Sequence, residues 1–580
     1  MAFNVKLDVY KDKLVVLLLI AVLIGVVTGF LAIAFRYALL IVIKLLWQNQ
    51  SEVIAAVAGM KWYIILAIPV IGGLLIGPII SFWAPETSGA GVPEVIHTVV
   101  SKDGVIRHRT TLFKILATVI SIGTGASVGR EGPIVHIGGS VGSSIGQLIG
   151  VSAEWRRVFL ACGAAAGIAA TFNAPMAGLL FAAEIILVDF QVSYLSHIAI
   201  SSITATVISY HFLGTFPTFD VPHYSLVTYW EIPLYIVLGV AAGGVAIAFT
   251  RLTSKVEDTF THFKIPVYLR PAIGGFLVGL IAIKAPHILG VGYQSVNLVL
   301  AAKMTGALML AIIILKLLAS AFSLGAGFSG GIFAPSLVMG SLLGGFFGVV
   351  ANGFFPGNIG ASPAYALVGM GAVVAGTTMA PITAIFTIFE LTYNFEIILP
   401  LMTSCITSLI VVQTFYGHSF YETKLIRKGV RFVRGRDSHM LRSMRVGEYM
   451  DKEYESVRES TPLGELVLKV QESHYPHFIV FNDKDELAGM ISLSDIKPVL
   501  ADVKDLCELL VVADIMTKEI CTLTPEDNFE TAFKVFEGKN VSTLPVVAHR
   551  NSRKVLGVLK KSTLLYAYNE KILKTTALKT

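Results

Sequence analysis

The sequence predicts an all-α polytopic membrane protein built from two related halves with broken helices, followed by a soluble α/β tail. Three observations carry this: an apolar composition confined to the first part of the chain, glycine clusters running into prolines within it, and landmarks that recur at one spacing. Of 580 residues, 54% are hydrophobic and 14% charged, with a mean hydropathy of +0.72, far from soluble-protein averages.

The apolar stretches fall almost entirely before residue 420. Leu14–Ala34, Tyr63–Phe82 and Ile232–Phe249 reach the roughly 20 residues that span a bilayer. Thr111–Ile122 and Gly163–Ala170 are shorter and end near glycine or proline, which predicts broken or re-entrant helices. The first stretch follows Lys6, Lys11 and Lys13 without a small-residue cleavage site. It reads as a retained helix with a cytoplasmic N-terminus. Arg427, Lys428, Arg431, Arg434 and Arg436 follow the last apolar stretch and place that end on the same side. They read as a solvated basic linker against anionic headgroups. A net charge of +6 is too modest to argue for nucleic acid. Cys162, Cys405, Cys507 and Cys521 share no metal-ligand spacing and two lie in apolar segments, so neither a metal site nor a disulfide framework is expected.

Three glycine clusters run into proline: Gly89-Ala90-Gly91-Val92-Pro93, Gly129-Arg130-Glu131-Gly132-Pro133 and Gly331-Ile332-Phe333-Ala334-Pro335. Proline suits the first turn of a helix, where its missing N–H has no partner to lose. Glycine lets the backbone before it bend and lets another group come close. Bare helix N-termini at membrane depth are tolerated only inside protein or along a cavity. Their N–H groups and positive dipole ends suit an anion. The chain reads as a carrier of anions across a membrane.

The apolar part also repeats. Gly163 stands twelve residues before Pro175 and Gly369 twelve before Pro381, and nine residues after each proline comes a glutamate, Glu184 and Glu390. Ala174-Pro175-Met176-Ala177-Gly178 parallels Ala380-Pro381-Ile382-Thr383-Ala384. Two halves with matching interruptions are a transporter signature, with substrate held where broken helices from both halves meet. Lys114, Glu184, Lys316 and Glu390 are charges in apolar surroundings that either line an aqueous path or pair inside the protein. For the two glutamates, pairing or satisfaction of a helix end is the favoured reading. Lys114 is a candidate for positive pore potential.

These clusters, with Phe172-Asn173-Ala174-Pro175 and Phe389-Glu390-Leu391-Thr392, resemble the signatures of the CLC chloride channels and transporters over about residues 14–425. The resemblance implies a homodimer with a separate pore in each subunit, built from many tilted and broken helices in an inverted repeat. It implies that Glu131 is the gating glutamate, a carboxylate filling the site an anion would occupy; the alternative is a structural first-turn carboxylate stabilised by the dipole. It implies that the Tyr421 hydroxyl coordinates the anion; the alternative is an interfacial aromatic anchor. Other anion ligands implied are the backbone of Ala90 and Gly91, the Gly129–Gly132 loop, and Ile332 and Phe333, with Arg130 acting structurally or electrostatically. Two departures stand out. Many relatives carry a serine where this chain has Ala90, which loosens the expectation of chloride over nitrate or fluoride. Antiporter members carry a second glutamate where this chain has Ile185, so the usual internal proton relay is missing. That favours a channel, with proton-coupled antiport as the alternative.

From Val446 the composition turns globular and repeats again. Val446-Gly447-Glu448-Tyr449-Met450 is echoed by Val512-Ala513-Asp514-Ile515-Met516, and His477-Phe478-Ile479-Val480 by Leu544-Pro545-Val546-Val547. Leu487-Ala488-Gly489-Met490-Ile491 is echoed by Val555-Leu556-Gly557-Val558-Leu559. Short β-branched runs beside the helical stretches Leu463–Glu472 and Asn528–Phe536 predict small α/β units. This is similar to a tandem pair of CBS domains, which implies a cytoplasmic regulatory module. Ser492 and Asp495 match that family's ribose-binding element, so an adenine nucleotide is a possible ligand, with a purely structural module as the alternative. The second repeat has Lys560-Lys561-Ser562-Thr563 in register, without the aspartate. The domains expected are a transmembrane anion-transport domain (1–425), a basic linker (426–445) and a tandem CBS module (446–580, repeats 446–502 and 512–570). No catalytic pair or phosphate loop appears in the sequence, which argues against an enzyme.

Overall fold

A computed structural model describes residues 10–47, 53–57, 59–188, 190–215, 219, 226–429, 441, 444–473, 475–496, 510–518, 520–539, 541–549 and 552–577. Lys6, Arg431, Arg434, Arg436 and Cys507 lie outside these residues. The chain forms two compact units, Met1–Phe432 and Val433–Thr580.

The first unit is helical throughout. Its helices are α1 (Tyr10–Leu46), α2 (Val53–Val57), α3 (Trp62–Pro78), α4 (Val92–Ser101), α5 (His108–Gly123), α6 (Glu131–Ile149), α7 (Ala153–Phe172), α8 (Pro175–Phe181) and α9 (Val192–Leu213). They continue as α10 (Ile232–His262), α11 (Arg270–Ala282), α12 (Tyr293–Leu300), α13 (Gly306–Ala326), α14 (Phe333–Phe354), α15 (Ser362–Thr378), α16 (Pro381–Thr392), α17 (Ile398–Phe415) and α18 (Phe420–Arg427). Seven runs among the described residues are long and apolar enough to cross a membrane. On α1, Leu19, Leu23, Val27 and Phe30 face outward while Ala21, Ile24 and Thr28 are buried. An apolar outer face on an apolar helix suits lipid rather than water.

Two expected breaks are absent. Gly163–Ala170 is the second half of a continuous helix, α7, whose first turn is polar at Glu154, Arg156 and Arg157. Thr111–Ile122 likewise sits within the unbroken 16-residue α5, which opens on His108 and Arg109. Polar first turns lengthened both helices beyond their apolar stretches. The short helices are Pro175–Leu187, in which α8 runs on into a π-helical turn (Ala182–Leu187), and the 12-residue α16.

The two halves meet antiparallel about a local two-fold. Gly129 and Gly331 form a reciprocal bridge, the Gly129 N–H donating to the Gly331 carbonyl at 2.8 Å and the Gly331 N–H to the Gly129 carbonyl at 2.6 Å. Around it the hydroxyl contacts are mirrored. Ser127 Oγ pairs with Ser320 Oγ at 3.0 Å, and the Ser127 N–H donates to Ser323 Oγ, also at 3.0 Å. Ser329 pairs with Thr118 at 2.9 Å and its N–H reaches Ser121 Oγ at 3.0 Å. The repeating Gly163 and Gly369 have one physical reason: a Cβ on Gly163 would lie 1.9 Å from the Gly138 carbonyl, and one on Gly369 would lie 2.3 Å from that of Gly340. Thus α7 crosses α6, and α15 crosses α14, backbone against backbone.

The second unit carries α19 (Val446–Tyr449), β1 (Ser456–Arg458), α20 (Leu463–Glu472), β2 (His477–Phe481), β3 (Leu487–Ser492) and α21 (Leu493–Ile496). A second set follows: α22 (Val512–Ile515), α23 (Phe529–Lys539), β4 (Thr543–Val547), β5 (Val555–Lys560) and α24 (Lys561–Ala577). β1 runs parallel to β2, which pairs antiparallel with β3; β4 and β5 form an antiparallel pair. The leading segments cross over. Val446 packs with Leu523, Phe529 and Phe536 of the second repeat, and Val512 with Leu463, Phe478 and Ile491 of the first. The free cysteines among the described residues are Cys162, Cys405 and Cys521.

Candidate functional site

The three glycine–proline motifs converge on one point, and close backbone approach is what their glycines permit. Gly91 adopts φ +78°, a conformation L side chains rarely take, as the residue capping α4. A Cβ there would lie 2.7 Å from the Gly132 carbonyl oxygen. A Cβ on Gly132 would in turn lie 2.0 Å from the Ala90 carbonyl oxygen, and one on Gly331 2.6 Å from the Gly132 nitrogen. The Gly330 N–H donates to the Gly89 carbonyl at 3.2 Å, closing the ring of loops. Helices α4, α6 and α14 therefore start from a shared centre. The N–H groups of a helix's first turn have no intrahelical acceptor, so their positive ends gather there.

Glu131, the first residue of α6, is 1% exposed. Its carboxylate turns back over Gly129, where a Cβ would stand 2.0 Å from Oε2. Oε2 accepts the Ala334 N–H of the α14 first turn at 3.3 Å, and Oε1 accepts the Tyr293 hydroxyl at 3.0 Å. The Arg130 guanidinium lies over the Tyr293 ring, 5.5 Å from its centroid. The Gly129 N–H is engaged by Gly331, so the donors of this loop are fewer than its glycines suggest. Ile332 and Phe333 lie at the start of α14, both buried.

Tyr421 is 2% exposed on α18. Ser419 and Glu422 form a capping box that fixes the start of that helix: the Glu422 N–H donates to Ser419 Oγ at 3.1 Å and the Ser419 N–H to Glu422 Oε2 at 2.7 Å. A cavity of about 190 Å³ opens beside Gly89, Ala90 and Gly91 and is lined further out by Arg270, Lys424 and Lys428 with Glu94 and Glu257. Ile185 is buried in the π-helical turn after α8. Lys114, fully buried, donates to the carbonyls of Thr87 at 2.8 Å and Gly89 at 3.1 Å. It holds the loop before α4.

Sequence reading missed the counterpart of that loop in the second half. Lys316, also fully buried, donates to the carbonyls of Ile288 at 2.9 Å and Gly290 at 3.0 Å. Gly290-Val291-Gly292 thus mirrors Gly89-Ala90-Gly91, and it delivers Tyr293 to Glu131 as the first residue of α12. The signal was the Gly-x-Gly spacing; without a following proline it did not stand out.

The glutamates Glu184 and Glu390 cap helices across the repeat. Glu390 accepts the N–H groups of Met176 at 2.9 Å and Ala177 at 2.7 Å, at the start of α8. Glu184 accepts those of Ile382 at 3.3 Å and Thr383 at 2.7 Å, at the start of α16, and the Thr383 hydroxyl at 2.7 Å. This is helix-end satisfaction.

In the tail, the Ser492 N–H and hydroxyl both donate to Asp495 Oδ2, at 2.8 and 2.6 Å. Among the described residues no group of His, Cys, Asp and Glu could hold a metal ion.

The family profile described as "Voltage gated chloride channel" matches residues 72–413, and the one described as "CBS domain" matches residues 446–502 and 512–570. The chain is 34% identical over 418 residues to a putative chloride channel protein, ClcB-like, of Ralstonia nicotianae, covering 71% of this chain and 97% of that protein. It is 30% identical over 628 residues to the chloride channel protein CLC-f of Arabidopsis thaliana, covering 94% and 79%. Among solved structures, that of a slow cyanobacterial Cl⁻/H⁺ antiporter matches with a TM-score of 0.66 and 26% identity, over 71% of this chain and 97% of that one.

Proposed function

The chain belongs to the voltage-gated chloride channel family, whose members are chloride channels or proton-coupled chloride exchangers, and from that premise we propose that it conducts chloride through a pore gated by Glu131 in each subunit of a homodimer. One observation supports this reading most: the Glu131 carboxylate accepts an N–H of the α14 first turn at the point where α4, α6 and α14 begin. A chloride ion would draw on the same donors, so carboxylate and anion compete for one place. Tyr421, Phe333, Ile332 and the backbone around Ala90, Gly91 and Gly132 are the remaining ligands we assign, with Arg130 and Lys114 contributing positive potential. Protonation or displacement of Glu131 opens the place to the ion.

Passive conduction is the preferred form, because Ile185 stands where a second carboxylate would relay protons and cannot bind one. Exchange is the second reading, favoured by the antiporter among the structural neighbours and by the protonatable Glu131 itself. Purified protein in vesicles separates the two. A chloride gradient drives uphill proton movement if the chain is an exchanger and none if it is a channel. Glu131→Gln is expected to keep anion flux while removing its pH dependence; behaviour like the unaltered protein removes the gating role. Because position 90 is alanine, fluoride and nitrate belong in the same assay as chloride.

We further assign both termini to the cytoplasmic side, from Lys6, Lys11 and Lys13 ahead of the first apolar stretch and the basic residues from Arg427 on. For the tail we propose adenine-nucleotide binding in the first repeat, where Asp495 would meet the ribose diol. Titration of the full-length protein with ATP and AMP, with Asp495→Ala as the control, tests it.

A further inference from the structure

Three elements lock Tyr293 in place beside Glu131. Gly292, at φ +89°, turns the chain so that Tyr293 begins α12. A Cβ on that glycine would lie 3.0 Å from Val338 and 3.1 Å from the Lys316 ammonium, so the turn is also tightly backed. The Phe219 ring meets the Tyr293 ring edge-on, with centroids 5.3 Å apart and planes at 77°. Arg130 covers the ring from the residue preceding Glu131. The hydroxyl is thereby aimed at one acceptor, Glu131 Oε1, at 3.0 Å.

We propose that Tyr293 is a positioning residue for the gate: its hydroxyl holds the ionised Glu131 in the anion path, so that the tyrosine sets how readily protons or chloride displace the carboxylate. This rests on the gating role assigned to Glu131. A hydroxyl donating to a carboxylate makes a charge-assisted bond, stronger than the one it makes to a neutral carboxylic acid. The bond therefore favours the charged, site-filling form over the protonated form. The groups facing Glu131 are Tyr293 from α12, Arg130 from the turn before α6 and Tyr421 from α18, while α14 presents backbone N–H. Arg130 favours the same charged form, but it lies over the tyrosine ring rather than on the carboxylate. Tyr293 is the side chain in direct contact.

The sign follows. With Tyr293→Phe the ring, its Phe219 contact and the Arg130 stacking remain, and the hydroxyl is lost, with its bond to Glu131 and its polar interaction with Arg130. The charged form is weakened, so Glu131 takes its proton at a higher pH. The midpoint of chloride flux against pH should rise by about one unit, a roughly tenfold change in proton activity. The plateau reached in acid should be unchanged, because the open pore is not altered. Flux from vesicles is measured between pH 4.5 and 8.5 for the unaltered protein, Tyr293→Phe, Glu131→Gln and the double variant. An upward shift in Tyr293→Phe that vanishes in the Glu131→Gln background supports the proposal. Three results overturn it: an unshifted midpoint while Glu131→Gln is flat, a lowered plateau with an unshifted midpoint, or a shift that persists without Glu131. If Glu131→Gln itself keeps the full pH profile, the gating assignment fails first and this inference falls with it, an outcome distinguishable from the other three.

Discussion

Gly91 concentrates the physics of the site into one residue, because its left-handed backbone and the Gly132 carbonyl 2.7 Å from a would-be Cβ both exclude a side chain. Gly91→Ala brings a strain of about 1–2 kcal/mol from the backbone alone. The clash adds more, since backbone rather than a flexible side chain is in the way. We expect chloride flux to fall at least about tenfold, at 1.4 kcal/mol per decade, with the protein still inserted and the tail still folded, as vesicle flux and tryptic mapping would show. Ala90, its neighbour, is buried but carries a negative φ-compatible side chain already, so Ala90→Ser adds a hydroxyl at the same convergence. A neutral donor there should tighten chloride binding severalfold, about 0.5–1.5 kcal/mol for one hydrogen bond, and displacement titration against nitrate would read the change. If neither anion tightens, the hydroxyl does not reach the ion; if both tighten alike, it reaches the ion without discriminating between them.

Short helices are the elements on which the site depends, and their ends explain how much the sequence revealed. Pro175 and Pro381 announce the starts of α8 and α16, and the glutamates nine residues on were legible as candidates for helix-end work. Which helix each serves was not legible, because Glu184 caps α16 and Glu390 caps α8, each reaching into the other half. Backbone constraints are written in residue identity: glycine and proline state their own geometry, so the three motifs and the meeting of helix ends could be read directly. Lys316 stood out as a charge in an apolar stretch, but nothing in the sequence names the Ile288 and Gly290 carbonyls it holds, and an ordinary tyrosine such as Tyr293 carries no mark of a partner far away in sequence. Polar first turns hid the true length of α5 and α7 for a related reason, since apolar stretches record burial and not helix extent. At this scale Glu390→Ala should destabilise the membrane unit by about 1–3 kcal/mol, the cost of leaving buried backbone donors without an acceptor. Glu184→Ala should cost at least as much, because the Thr383 hydroxyl is orphaned as well. Thermal unfolding in detergent compares them, and a Gln variant at either position should recover part of the loss.

At the level of the whole molecule, both units are built from two copies that complete each other. In the membrane unit the copies share a bridge, mirrored serine contacts and exchanged carboxylate caps. In the tail they exchange leading segments, Val446 into one core and Val512 into the other, so neither repeat has a full core alone. The tail should therefore open as one cooperative body. His477 gives a handle on that body. It lies on β2 and contacts Ser542 at 3.0 Å and Thr543 at 3.3 Å in the other repeat. Burial lowers its pKa below the ordinary histidine value, and the Asp495 carboxylate offsets only part of that. The folded tail thus prefers neutral His477, whereas the unfolded chain protonates it near the usual value of about 6.5. As pH falls through that value, the unfolded state binds a proton that the folded state resists, and stability declines until the lower folded value is reached. Amide hydrogen exchange on β2 and β4 of the full-length protein should therefore quicken between about pH 7 and pH 5.5 by more than the change in intrinsic exchange chemistry. His477→Gln keeps a side chain able to bond to Ser542 and has no proton to gain, so it should flatten that slope. An equal slope in the variant would mean that other groups, and not the histidine between the repeats, make the tail sensitive to acid.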